Sequence, residues 1–474
     1  MSITGPSPPT TDDTDEAKSS PLASLAAQHR TLPPAPVPGR GIHYGWWIAL
    51  AAILSAFVGV GVGRFALGML LPAMGQALDL DYVQMGWIST ANFIGYLLGA
   101  LWVRRLLPRF GERRLITMAL MAVVATMGGV SLSAGFWPLA ILYTGTGLGS
   151  GIAFVCTVTL LPHWFASKYR GRAAGTLATG TGLAMMLAGW AIPLINESAV
   201  EISWWLGWRL SWGALAAVCL PLVLFCLIVV RNRPYEKGLA PYGERPGAAL
   251  GGGEPRRAAS RNKAVQGGTA VLAAQRNLIM RLGAVYALFG ATYVVYVTFV
   301  VTTLVREHGM AEAKAGLFWI GLGFFTLFCG PVLGGLSDRL GRRTGIIVSF
   351  LLQGMAYVLI AYSSDVSGSV WYGNIGGIPA AEAAVYLSIF LFGLSVFGLP
   401  VIMTAAVADY LTPERTVATI STLTVIFGIG QMLGPILAGV IAQYSGSFTP
   451  AYLAATALVA LAIAITLTLP DPPK

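Results

Sequence analysis

Apolar residues in this chain come in long blocks, without the strict alternation of strands or the one-sided stripe of a surface helix. Twelve blocks stand out, at about 46–74, 84–103, 114–133, 137–162, 173–195, 209–230, 282–305, 315–336, 344–362, 383–408, 416–442 and 450–469. A helix of about 20 apolar residues rises 1.5 Å per residue and crosses a hydrocarbon core of about 30 Å. The pattern therefore predicts an all-α membrane protein with twelve transmembrane helices. Two stretches break it. Residues 1–41 are rich in Ser, Thr, Pro and Ala, have no apolar core of the kind a secretory signal needs, and read as a disordered cytoplasmic tail. Residues 231–281, including "RNRPYEKGLAPYGERPGAALGGGEPRRAASRNK", are rich in Gly, Pro and Arg and read as a cytoplasmic linker. The expected organisation is two six-helix bundles, 42–230 and 282–470.

Charge sharpens the picture. The chain of 474 residues is 55% hydrophobic and 11% charged, against about 25% charged in soluble domains, so lipid is its main solvent. Its net charge of +10 does not point to nucleic acid, because the basic residues fill short gaps between apolar blocks. Of the 30 Lys and Arg, the tail holds three, the 2–3 loop five, the 4–5 loop three, the 6–7 segment ten, the 8–9 loop three, the 10–11 loop one and the C-terminus one. The opposite side has Arg209, Arg306 and Lys314. The positive-inside rule then places both termini in the cytoplasm and requires an even number of spans. All four cysteines lie inside apolar blocks and read as small buried residues, with no metal site or disulfide expected.

The two halves repeat each other weakly. Gly95 and Gly99 correspond to Gly330 and Gly334, and Phe165, Arg170 and Gly189 to Tyr410, Arg415 and Gly434. Such a repeat places a solute site near the midplane, where the halves meet. After the eighth span comes "GGLSDRLGRR". It fits G-x-x-x-D-R-x-G-R-R at every position and resembles the signature loop of the major facilitator superfamily. The resemblance covers about 42–470 and implies that family's fold, two pseudo-symmetric bundles working by alternating access. It also implies that Gly334, Asp338, Arg339, Gly341, Arg342 and Arg343 form a conformational latch, with Asp338 facing the start of the fifth span. The first-half copy, "GALWVRRLLPRFGERR", has Val103 where the acid belongs, and its Gly111 comes five residues late. Asp409 is a substitute acid for Arg104 or Arg105. The ladder Gly145, Gly147, Gly149, Gly151 reads as helix packing. No phosphate-binding loop, zinc-protease motif or nucleophile elbow occurs. No enzyme, cofactor or metal is expected.

The remaining question is Arg64, alone in "GVGVGRFALGMLLPAM" deep in the first span. An arginine there costs about 2.5–3.5 kcal/mol on insertion scales, and no carboxylate lies mid-span to offset it. One reading bonds it to backbone carbonyls or to Glu197. The other lets it face a central cavity, its partner an anionic substrate held through the guanidinium fork. Gly61 and Gly68 leave space on either side. This region, with "ANFIGYLLG" in span 2, also resembles a bacterial branch of the same family. That resemblance implies the bacterial inner membrane. Further cavity candidates are Asn92 and Tyr96 on span 2 and Tyr293 and Tyr296, with Tyr286, on span 7; Gln353 and Gln431 rank below them. Together these residues point to a monomeric secondary or facilitative transporter, embedded in the bilayer, for a small organic anion such as a carboxylate. The alternatives are an exporter of amphipathic or toxic compounds and a non-transporting receptor or scaffold.

Overall fold

A computed structural model describes residues 42–200, 206–244, 269–363, 374–375 and 378–470. The predicted tail, residues 245–268 of the linker and 364–373 of the loop after span 9 lie outside the described residues. Among the described residues, eleven helices are long and apolar enough to cross a membrane. One of them, Tyr82–Ser131, bends at Gly111, whose φ of 71° and ψ of 165° are not helical. Split there, the described residues form twelve spans: α1 (Tyr44–Ala77), α2 (82–110), α3 (112–131), α4 (Phe136–Trp164), α5 (Ser167–Val200), α6 (Gly207–Val229), α7 (Arg276–Glu307), α8 (Glu312–Leu340), α9 (Arg342–Tyr362), α10 (Ala380–Tyr410), α11 (Pro413–Ser445) and α12 (Thr449–Leu467). A two-residue antiparallel pair, Asn374–Ile375 with Ile378–Pro379, precedes α10. The chain is a multi-pass membrane protein.

Helices α1–α6 pack as one bundle and α7–α12 as the other. Close backbone approach sets the packing of the first. Gly95 and Gly99 of α2 lie under the Thr144 and Leu148 carbonyls of α4, and Gly147 and Gly151 of α4 under the Asn92 and Tyr96 carbonyls of α2. Gly145 and Gly149 face α3 instead. The glycine ladder thus serves two neighbours at alternate positions, as small residues do where membrane helices must touch. Residues 231–244 pack back on this bundle: Tyr242 joins Trp164 and Ala166 through backbone hydrogen bonds of 2.8 and 3.0 Å, and its ring meets Trp46, Phe165 and Tyr169.

The repeat is visible at the loops. Gly111 between α2 and α3 and Gly341 between α8 and α9 both take positive φ, 71° and 93°. Two residues on, Arg113 donates to the Leu227 carbonyl at the end of α6, and Arg343 donates to the Leu467 carbonyl at the end of α12. The intervening residue has opposite charge in the halves. Glu112 accepts a 3.0 Å bond from Arg233 of the linker, whereas Arg342 pairs with acids.

The bundles meet toward the end away from the basic loops. There Gly182 and Gly323 approach face to face, as do Gly189 and Gly316, and Asn196 Nδ2 donates to Glu312 at 2.6 Å. Gly86 packs under the Pro435 carbonyl, Thr90 donates to the Met432 carbonyl at 2.8 Å, and the Tyr82 N–H reaches Gln443 at 3.1 Å. Gly68 lies against the Val297 carbonyl. Toward the basic-loop end, Gly171 and Gly175 on α5 and Gly330 and Gly335 on α8 have nothing within 4 Å of where a Cβ would stand.

Repeat-related glycines are therefore unequal. Gly95→Ala drives a methyl into the Thr144 carbonyl and should destabilise the protein by about 1–3 kcal/mol. Its counterpart Gly330→Ala should leave the melting temperature in detergent unchanged. Equal melting temperatures for the two variants would contradict the α2–α4 packing described here.

Candidate functional site

Arg64 lies in a nine-residue π-helical stretch of α1, Phe57–Phe65. Wider turns of this kind often mark functional positions. They also leave backbone groups in need of partners, and side chains of neighbouring helices supply them. Ser150 donates to the Gly59 carbonyl, Asn92 Nδ2 to Gly63 at 3.4 Å, and the Tyr143 hydroxyl to Arg64's own carbonyl at 2.8 Å. The expected space beside Arg64 is taken up by helices, with Gly61 against Ala184 of α5 and Gly68 against Val297 and Trp319.

Arg64 is 7% exposed. Its Cζ sits 4.0 Å from the Tyr96 ring centroid and 4.5 Å from that of Phe93. Desolvated cation–π contacts of this type reach about 2 kcal/mol. Two of them are of the size needed to offset the insertion cost without any carboxylate. Tyr293 of the second bundle interacts with the same guanidinium and accepts a hydrogen bond from Gln431. Arg64 Nε and Nη2 have no partner. Neither backbone carbonyls nor Glu197 takes up this pair of donors. The Nε–H and one Nη2–H point the same way along one edge of the guanidinium, the edge that grips a carboxylate with two parallel bonds.

A small cavity lies beside it, lined by Arg64, Ser89, Asn92, Tyr143, Val297 and Thr298 among others. Its free volume is about 10 Å³, close to the space one water needs, so this conformation is contracted. Ser89 and Thr298 share a 3.1 Å hydrogen bond across the bundle interface. Asn92 is 1% exposed. Its Nδ2 is held by the Gly63 and Tyr143 carbonyls, which fixes the amide orientation, and its Oδ1 has no partner.

Four of the five residues singled out by sequence meet here: Arg64, Asn92, Tyr96 and Tyr293. Tyr286 joins them through a stack with Phe289, Tyr293 and Phe427, the Tyr286 and Phe427 rings 4.4 Å apart at 12°. Tyr296 does not. It shares a 2.8 Å hydrogen bond with Ser388 and stacks on Phe392 at 4.0 Å, inside the second bundle. The reason is helical phase: three residues beyond Tyr293 carries the side chain around to α9 and α10. Gln353, also in that core, lies 3.5 Å from the Tyr357 hydroxyl. Phe93 and Tyr143 were missed by sequence reasoning, because an aromatic residue in a membrane span usually packs.

At the basic-loop end, Arg342 links Asp338 of α8, one turn back, to Asp409 at the end of α10, the latter at 2.6 Å. It also donates to Ser337 at 3.2 Å. Gly334 has only Val401 of α10 nearby. Asp409 thus pairs within its own bundle, and the expectation that it serves Arg104 or Arg105 is not met in this conformation. A guanidinium adjacent in space outcompetes one across an open interface.

Twelve membrane helices in two pseudo-symmetric bundles, with a buried polar site between them, define a solute transporter. The sequence profile described as Major Facilitator Superfamily matches residues 53–381, and the chain belongs to that family: it is a transport protein, not an enzyme. It is 24% identical over 408 residues to a hexuronate transporter of Bacillus subtilis strain 168, covering 84% of this chain and 88% of that one. It is 25% identical over 412 residues to a 4-hydroxybenzoate transporter of Pseudomonas putida, covering 82% and 85%. Among solved structures, a D-xylose–proton symporter shares the fold with a TM-score of 0.68 at 16% identity, over 90% of this chain and 98% of that one.

Arg342→Gln leaves two carboxylates facing each other. Because these pairs are partly exposed, the melting temperature should fall by no more than a few degrees. Hydrogen exchange at the α8–α9 turn and the end of α10 should nevertheless rise, and unchanged exchange there would contradict the role of Arg342 in joining α8 to α10.

Proposed function

We propose that this protein carries a small organic carboxylate across the bacterial inner membrane by alternating access, with Arg64 as the anion anchor. The observation that carries the reading is the partnerless Nε–Nη2 edge of Arg64, buried between the bundles. Leaving a buried donor unbonded costs about 1–3 kcal/mol, more for a charged group. A bidentate carboxylate would satisfy both donors and neutralise the charge in one step. The two relatives support this, since hexuronate and 4-hydroxybenzoate each carry a carboxylate.

In this reading Asn92 and Tyr143 hold the α1 backbone around Arg64, Tyr96 and Phe93 sandwich the guanidinium, and Tyr293 brings the second bundle to it. The division is 42–230 and 282–470, with both termini cytoplasmic, so the conformation described is closed to the outside. The latch residues, Arg342 at their centre, hold α8, α9 and α10 together at the inner face. The protein works as a monomer within the bilayer, since each chain holds a complete site. Export of lipophilic cations fits less well, because no carboxylate lines the cavity.

Ligand stabilisation of the detergent-purified protein tests the reading. A ligand at 100 times its Kd adds about 2.7 kcal/mol to the folded state. Carboxylates should raise the melting temperature of the wild type and not of Arg64→Gln. Arg64→Lys should bind at least tenfold more weakly, because an ammonium lacks the two-donor edge. Equal stabilisation of wild type and Arg64→Gln by carboxylates would make Arg64 structural.

A further inference from the structure

The site contains a second unmet group of opposite kind. Asn92 Oδ1 is buried, has no partner, and belongs to a residue lining the same cavity as Arg64. It cannot be satisfied by flipping the amide, because that would set an oxygen against the Gly63 and Tyr143 carbonyls. Asn92 and Arg64 line the same small cavity. The site thus presents two donors and one acceptor. A simple carboxylate satisfies only the donors.

We infer that the transported solute is a hydroxy carboxylate, whose hydroxyl, one or two carbons from the carboxylate, donates to Asn92 Oδ1. This rests on the carboxylate reading above and narrows it. A hydroxyl is favoured over an ammonium by charge. Arg64 is already a buried cation, and no Asp or Glu lines the cavity to balance a second one. The Ser89–Thr298 hydroxyls border the same space but already bond each other, whereas Asn92 Oδ1 is a buried acceptor with no partner, so Asn92 is the specificity-determining acceptor. Sites built to bond a substrate hydroxyl discriminate strongly against the analogue lacking it, because the buried polar group is then left unpaired.

The test compares acids differing only in that hydroxyl, mandelate against phenylacetate and lactate against propionate. Kd is measured on wild-type protein, Asn92→Ala and Arg64→Gln. In the wild type each hydroxy acid should bind at least tenfold more tightly than its deoxy partner. Asn92→Ala should bring that ratio near one while still binding both acids, and Arg64→Gln should bind neither. Equal wild-type affinities within both pairs would overturn this inference and leave the carboxylate reading intact. If none of the four acids binds the wild type, the carboxylate reading falls and this one with it. If Asn92→Ala keeps the preference, the hydroxyl is read by another residue and the assignment to Asn92 is wrong. Asn92→Ala also loses two structural bonds, so the wild-type comparison, which needs no variant, stands as the independent measurement.

Discussion

A single unneutralised cation in a low-dielectric interior is the constraint around which this structure is arranged. Among the described residues Arg64 has no carboxylate to pair with, and its charge is managed by ring faces and geometry. Tyr96 and Phe93 cover the guanidinium at 4.0 and 4.5 Å, which addresses the charge without using its hydrogen-bond donors. A salt bridge would have consumed those donors. Aromatic faces stabilise a cation while leaving its edge available.

The surroundings follow from that choice. Holding the edge in place requires a fixed α1 backbone at a π-helical turn, and three side chains from α2 and α4 bond the carbonyls of Gly59, Gly63 and Arg64. Those side chains are in place only because α2 and α4 touch backbone to backbone. Gly147 lies against the carbonyl of Asn92 itself, and Gly151 against that of Tyr96. The same glycines that pack the bundle therefore set the height of the two residues that frame the arginine.

Much of this was legible in the sequence, for physical reasons. Twelve apolar blocks are hard to satisfy any other way, because every backbone group in lipid must bond internally. A lone arginine in such a block signals function because its cost is large. Asn92 and Tyr96 were picked out by the same logic, as polar groups one turn apart where none is needed for packing, and both lie beside the Arg64 turn. What could not be read was phase. The π stretch shifts the angular position of everything beyond Phe57, and Tyr296, three residues from Tyr293, turns into the second bundle. Gln431, ranked low, is the partner of Tyr293. Nothing local marks it, because the contact joins residues 138 apart. The pairing of Asp409 was misread for a similar reason: the sequence shows which charges exist and not which faces approach.

The closed end suggests how so small a site can govern so large a motion. The contacts joining the bundles there include glycines against carbonyls, hydrogen bonds such as Ser89–Thr298, Thr90–Met432 and Asn196–Glu312, and the Tyr82–Phe448 ring pair. Each such bond contributes about 0.5–1.5 kcal/mol net. Glycine-to-backbone contacts add close packing without interlocked side chains that would have to unthread. Such an interface can separate as a rigid surface. A ligand shifts the balance between two conformations only by its differential affinity for them, and moving a two-state population from 1:99 to 99:1 takes about 5.5 kcal/mol. In the proposed reading, bidentate capture by Arg64, with Tyr293 reaching it from the other bundle, would supply part of that differential affinity. In that reading, the glycines that let the helices touch keep the interface light enough for a single bound solute to shift it.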